Sequence, residues 1–443
     1  MNDSREKIII GNCSGFYGDR LSAAKDMVDG GPIDVLTGDY LAELTMTILY
    51  NQRMKRGEDQ GYVGTFLKQF SEVAVSCQEK NIKIVTNAGG LNPASMANKI
   101  EEIVKELNLD LKIAYIDGDD LIPRFDELKA ENEPLTNMEK GISLHDYEKK
   151  PLTANAYFGA WGIKEALDAG ADVVVCPRVT DAAVVIGPAA WKYNWSRDNF
   201  DALAGALAAG HIIECGAQAT GGNYSFYKEV PSFFNMGYPI AEIYEDGSFT
   251  VTKHPGTGGL VSVGTVTAQL LYEINSPAYM NPDVIAHFDT LKIEQEGEDR
   301  VLVSGCRGSS APKTHKVCVN LEGGFRNGTE ILLTGIDIEE KAKIVTDLIF
   351  ENVGGKEQFD HVDIQLIRTD HENPVSNEGA QASLRISVMS QNPDLVGRLF
   401  NAKIVELSLA TIPGYTGRSG MPAGPYIQYW PALIDSKFIT EMV

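Results

Sequence analysis

Residues 83–93 read KIVTNAGGLNP. Lys83–Thr86 is a short run with no polar interruption, rich in β-branched residues. At Asn87 it gives way to a polar loop with paired glycines, and a helical pattern follows over Asn98–Leu107. A strand that is apolar on both faces needs helices on both sides. Strand, loop and helix in that order make the repeating unit of a parallel sheet.

The same unit recurs on either side. Lys7–Gly11, Ile33–Gly38, Lys112–Ile116, Asp172–Cys176 and His211–Cys215 also read as buried strands. Helical patterns run over Gly64–Glu79, Phe158–Ala169 and Phe200–Ala209. This rhythm predicts an α/β fold with a mainly parallel N-terminal sheet and right-handed crossovers, open rather than closed into a barrel. Beyond Leu271 the strands at Leu291–Gln295, Arg300–Val303, Lys316–Leu321, Glu330–Thr334, Asp363–Arg368 and Ala382–Met389 read as more antiparallel. Helices are expected at Glu339–Glu351 and Asp394–Ser408, and turns at Gly323–Gly324 and Asn327–Gly328. A chain of 443 residues exceeds one ordinary core. The expectation is an α/β domain over 1–275 and a C-terminal α+β domain over 276–443, joined near 272–284.

Acidic residues outnumber basic ones by 61 to 39, giving a net charge of −22, so a nucleic acid would be repelled. No segment approaches the roughly 18 uninterrupted apolar residues of a membrane span. The start, MNDSREKIIIGN, lacks the pattern of an export signal. Six cysteines, at 13, 77, 176, 215, 306 and 318, form no C-x-x-C pair and fit a reducing compartment. The expected location is the cytoplasm, with neither nucleic acid nor membrane as partner.

In parallel sheets ligands bind beyond the carboxyl ends of the strands. Here those ends lead into Asn12–Arg20, Asp39–Glu43, Asn87–Pro93, Asp117–Asp120, Pro177–Asp181 and Gly216–Tyr224. All six loops carry glycine or short polar groups. Asp39 and Glu43 are spaced to share a helix face, as a pair of acid–base groups, as cation ligands or as an acidic first turn. Asp117 with Asp119 and Asp120 is either a source of hard oxygens or an aspartate-capped turn. Arg178 and Asp181 either grip a carboxylate or pair with each other. Cys13, Cys176 and Cys215 read as small hydrophobes in preference to a thiolate site. His254, beside the glycine-rich run ending in Gly258–Gly259, is the histidine singled out for function. Arg307 and Lys313 lie in a cationic loop suited to a coenzyme A phosphate. No dinucleotide fingerprint or Walker A loop is present, which leaves either no cofactor or a divalent metal ion.

Together SGFYGDR (14–20), GGPIDVLTGDYLAELTM (30–46), TNAGGLNP (86–93), CPRVTDAAV (176–184), IIECGAQATGGN (212–223), KHPGTGGLVSVGTVTAQLLYEI (253–274) and PGYTGRSG (413–420) resemble the acyclic terpene utilisation family, the AtuA-type proteins. The resemblance spans nearly the whole chain. It implies a place in the breakdown of terpenoid acids as CoA thioesters. Longer relatives carry an additional small α+β domain, so it also implies a small α+β partner subunit and a hetero-oligomer. The function expected is a hydratase- or dehydratase-type lyase acting on a carboxylic acid or acyl-CoA, in preference to an isomerase or a C–C lyase using the same residues. The alternative is a noncatalytic acyl-binding or scaffold subunit. In the enzyme reading Asp39, Glu43 and His254 are catalytic. Asn12, Ser14, Tyr17, Arg20, Asn87, Gly89, Gly90, Arg178, Asp181, Thr220, Asn223, Gly258, Arg307 and Lys313 bind substrate. Asp39, Glu43 and Asp117 are the metal set.

Overall fold

A computed structural model describes residues 6–418 and 422–443, so Ser419 and Gly420 of the 413–420 loop lie outside the described residues. The chain forms two compact units, residues 1–320 with 429–443 and residues 321–428.

In the first unit the strands are β1 (Lys7–Asn12), β2 (Val35–Gly38), β3 (Lys83–Thr86), β4 (Ile113–Tyr115), β5 (Pro151–Ala156), β6 (Val173–Val175), β7 (Pro239–Tyr244), β8 (Phe249–Lys253), β9 (Ala278–Met280), β10 (Ile285–His287), β11 (Lys292–Gly297), β12 (Arg300–Ser304) and β13 (Arg307–Ser309). Its helices are α1 (Ala23–Gly30), α2 (Glu43–Arg56), α3 (Gly64–Lys80), α4 (Pro93–Glu106), α5 (Phe125–Ala130), α6 (Trp161–Asp168), α7 (Ala183–Lys192), α8 (Phe200–Ile213) and α9 (Val263–Leu270). β14 (Thr314–Thr334) begins in the first unit and ends in the second. The second unit continues with α10 (Ile338–Glu351), β15 (His361–Arg368), β16 (Gln381–Ser390), α11 (Phe400–Glu406) and β17 (Tyr415–Gly417); β18 (Gly424–Asp435) brings the chain back to the first.

One open nine-stranded sheet organises the first unit, in the order β11-β12-β8-β7-β1-β2-β3-β6-β4. From β1 to β4 the pairing is parallel. From β1 outward to β11 it is antiparallel. The strands expected at 291–295 and 300–303 therefore extend the N-terminal sheet, and the linker expected at 272–284 falls inside the first unit. Their antiparallel character was legible; that they join an existing edge was not. The α4 boundary follows local chemistry: Asn92 accepts the Ser95 amide at 3.1 Å and Pro93 opens the helix.

The sixth expected strand is a correction. His211–Cys215 is the end and cap of α8, whose residues 202–213 are all buried. A helix buried on every side has no polar stripe, so its apolar run mimics a strand. Small residues let α8 sit this deep. A Cβ on Gly205 would fall 2.0 Å from the Gly247 carbonyl oxygen in the β7–β8 turn.

In the second unit β16 lies between β15 and β14, with Phe325–Thr334 opposite Ser390–Gln381. Ile331, Leu333, Leu384 and Ile386 bury one face of this sheet with Val345, Ile349 and Phe400. The Gly323–Gly324 and Asn327–Gly328 pairs lie within β14 and make no hairpin: Phe325–Thr334 run on without a turn against β16, and Asn327, buried, donates to the Val396 carbonyl at 2.7 Å. No helix among the described residues is long and apolar enough to cross a membrane.

Candidate active site

Three carboxylates meet at the carboxyl edge of the parallel strands. Asp39 follows β2, Asp181 follows β6, and Glu214 caps the end of α8. One oxygen atom of each lies within 4.8 Å of the others. Asn12, the last residue of β1, fixes the α8 end by donating to the carbonyls of Ile213 and Glu214 at 2.6 and 3.0 Å. A side chain at Gly15 could not be fitted there, since its Cβ would lie 2.4 Å from the Cys215 carbonyl carbon. Asn87 donates to Asp39 Oδ1 at 2.5 Å and accepts the Tyr40 amide at 2.9 Å, so both ends of this amide serve the Asp39 loop.

Charge is crowded here. Asp39 and Glu214 are buried, and Asp181 is partly exposed. Burial raises the Asp39 carboxyl well above its usual range, and the facing Asp181 and Glu214 add to the effect. Burial pushes Glu214 up to about 7, although His211 draws it back. Carboxylates this close cannot all stay ionised unless a proton or another cation balances them. His211 lies one turn before Glu214, with Nδ1 3.5 Å from Oε1, within ion-pair range but without a well-formed hydrogen bond. Burial opposes protonation of this imidazole, yet Glu214 outweighs it and its pKa is raised. The ring packs against Tyr279 of β9 and Phe288, with centroids 5.1 and 5.6 Å away.

Arg178 supplies the other cation. Only 2% exposed, it donates through Nη1 to Asp181 Oδ1 at 2.9 Å and to its neighbour's carbonyl, Val179 O, at 2.5 Å. Its Nε is buried without a partner. The guanidinium stacks 4.0 Å from the Tyr157 ring centroid. The Tyr157 hydroxyl donates to Glu43 Oε1 at 2.8 Å, and Lys316 reaches the same oxygen at 3.2 Å. Against the opposing effect of burial, Lys316 and its neighbours hold Glu43 down at about 2. Behind Arg178, its backbone N–H and Asn155 Nδ2 donate to Asp119 Oδ2 at 3.2 and 2.8 Å.

Of the residues singled out from sequence, Asp39, Asn12, Asn87, Arg178 and Asp181 come together. Glu43 lies further out, anchoring Tyr157. α2 starts only at Glu43, so Asp39 precedes the helix and the shared helical face does not exist. Asp117 is taken up in its own turn, accepting the Gly118 amide at 2.7 Å, and bridges to Met442. The acidic group close enough to share a cation is Asp39, Asp181 and Glu214.

His254 is packed elsewhere: Nε2 meets the Met27 carbonyl at 2.8 Å, and the ring lies against Gly30 and Gly31. Arg20 donates to the Met236 carbonyl and stacks on Tyr238. Ser14 donates to the Phe16 carbonyl, Tyr17 accepts from Gln52, and Thr220 donates to the Gly237 carbonyl. Asn223 adopts a left-handed turn and donates to Gln218. Gly89 packs on the Cys176 carbonyl, while Gly90 takes positive φ. Gly258 pairs with Met236. Arg307 is exposed and pairs with Asp201 at 2.8 Å; Lys313 is exposed as well. Cys13 and Cys176 are fully buried, and burial raises both thiols.

Glu214, His211, Tyr157 and Lys316 had not been singled out. The signal for the first two was a His and a Glu three residues apart, which face the same way only on a helix. The misread strand concealed it.

The fold and the cluster define an α/β protein with a carboxylate cluster at the carboxyl edge of its parallel strands. The family model described as "Acyclic terpene utilisation family protein AtuA" matches residues 8–443, and the chain belongs to this family. No curated protein and no solved structure matches it. Membership links the chain to acyclic terpene utilisation, and so broadly to carboxylic acid breakdown.

Proposed function

We propose that this chain is a lyase of the hydratase or dehydratase type, acting on a carboxylic acid or its CoA thioester at the Asp39–Asp181–Glu214 cluster. The observation that carries the reading is the meeting of three carboxylates with a buried, incompletely paired guanidinium. Adding or removing water next to a carbonyl requires a group that takes a proton, a group that returns one to the leaving hydroxyl, and positive charge near the enolate. Carboxyls raised toward neutrality exchange protons at ordinary pH, and Glu214, at about 7, is such a group. Asp39 serves as base and Arg178 faces the developing anion. Glu43, at about 2, is too weak a base and acts by holding Tyr157 under Arg178.

The test is turnover and deuterium exchange in heavy water, with a panel of short branched acids and their CoA esters. Exchange at the carbon next to the carbonyl is expected with at least one of them. Asp39→Ala should lower it by roughly 1,000-fold or more while the fold is retained. Saturable binding of these compounds with neither turnover nor exchange would instead make the protein a noncatalytic acyl-binding subunit.

A further inference from the structure

We infer that the cluster is a binding site for a hard divalent cation of the magnesium or manganese class, with Asp39, Asp181 and Glu214 as its ligands. The inference rests on the proposed function for its purpose and changes it in one respect. A carboxylate held by the ion is not free to exchange a proton, so with the ion bound Asp39 and Glu214 act as ligands and not as base and acid. The site itself is argued from geometry. Three carboxylate oxygens, two from strand-end loops and one from the end of α8, stand within 4.8 Å of one another, close enough to share one ion. Every donor is oxygen, the set that hard divalent cations select.

A second observation points inward at the cluster. His211 is 1% exposed, and its Nδ1 has no hydrogen-bond partner although it faces Glu214 Oε1 at 3.5 Å. An imidazole beside a ligating carboxylate is a common outer support of metal sites, where it fixes the orientation of the ligand. His211 is held for that role by its Nε2 contact with the Leu270 carbonyl at 3.2 Å and by the rings of Tyr279 and Phe288. Arg178 holds Asp181 in place through Oδ1 at 2.9 Å.

Charge balance also favours a cation. Three carboxylates face one side chain that is cationic at any ordinary pH, Arg178, with the His211 imidazole beside Glu214. A substrate carboxylate would add a further negative charge beside a largely buried, already acidic cluster. A divalent ion removes that repulsion and offers the substrate oxygen a direct partner, polarising the carbonyl and orienting the hydroxyl that enters or leaves.

The experiment is a titration of the full chain, first stripped with EDTA, with Mn²⁺, followed by electron paramagnetic resonance and calorimetry. One ion per chain is expected. Asp181→Asn and Glu214→Gln should each weaken binding at least 30-fold, whereas Asp201→Asn, in the exposed pair with Arg307, should not change it. Circular dichroism melts establish that the variants fold; Asp181 is partly exposed, so its variant supports the test if Glu214→Gln does not fold. Absence of saturable Mn²⁺ and Mg²⁺ binding at millimolar concentration would overturn the inference, as would binding that both variants leave intact. Cation binding without turnover of any acid or thioester leaves the site standing and removes the lyase reading. Turnover that persists in EDTA with no Mn²⁺ bound does the reverse.

Discussion

The two halves of the nine-stranded sheet treat their charged residues in opposite ways. On the antiparallel half Lys7, Glu242, Lys253 and Arg300 are all paired. Glu242 takes both Arg300, at 2.7 Å, and Lys7, also at 2.7 Å. Lys253 meets Asp299 at 2.8 Å, and His254 meets a backbone carbonyl. At the carboxyl edge of the parallel half, three acids share one neighbourhood, a guanidinium nitrogen lacks a partner and an imidazole nitrogen faces an acid without a good hydrogen bond. Burying polar groups unmatched in this way costs stability. On the proposed function, this unmatched arrangement serves to bind a ligand, which the paired half does not. The proposal thus assigns one set of residues to holding the sheet and the other to a ligand, and that division can be attacked from either side.

The largest effect should come from the antiparallel half, and on stability. His254→Ala removes the hydrogen bond to Met27 and the packing on Gly30–Gly31, so unfolding should become easier by roughly 3 kcal/mol. Chemical denaturation measures this. Turnover per folded molecule should stay within a factor of two; a collapse of turnover in folded protein would return His254 to the catalytic group.

A smaller and opposite pattern is expected at Tyr157. Tyr157→Leu takes away the ring beneath Arg178, a contact of about 1–2 kcal/mol when desolvated, and should lower kcat/KM per folded molecule by roughly 10- to 30-fold. Tyr157→Phe keeps the ring and loses only the hydroxyl bond to Glu43, so it should recover most of that loss. Equal loss in both variants would show that the hydroxyl acts in its own right and that Glu43 is more than an anchor.

Most of the parallel half was legible because its strands are short, β-branched and bounded by glycine or asparagine, as in KIVTNAGG. The loops that supply Asp39, Asn87, Arg178 and Asp181 were therefore found by their position after a strand. Glu214 and His211 were hidden because burial on all sides erases the polar stripe that marks a helix. Tyr157 and Lys316 were hidden for another reason. They reach Arg178 and Glu43 from β14 and from the chain just after β5, elements distant in sequence whose pairing no local pattern encodes. His254 drew attention as a histidine beside glycines, but those glycines form a turn, and the ring fills space against α1. Charge spacing alone paired Asp39 with Glu43, because where α2 begins depends on packing.

The finest test of the contrast concerns Asp119, which supports Arg178 from behind. Burial pushes this carboxyl up to about 8, although the Asn155 amide and the Arg178 N–H draw it down. In the unfolded chain an aspartate has a pKa of about 3.9. Below that value both states are protonated and the contribution to stability is fully present. As pH rises, the unfolded chain gives up a proton that the folded chain keeps, so this contribution declines and is lost by the time the pH passes about 8. Asp119→Asn offers the same carbonyl oxygen to Asn155 and Arg178 but cannot titrate. Its stability should therefore fall less steeply between about pH 5 and 8, with a gain over the parent of roughly 1–2 kcal/mol at the upper end. Denaturation curves at several pH values measure the two slopes. Parallel slopes would mean that Asp119 is ionised in the folded protein. The backbone of Arg178 would then rest on a true carboxylate, and the parallel half would hold one more matched charge than its burial implies.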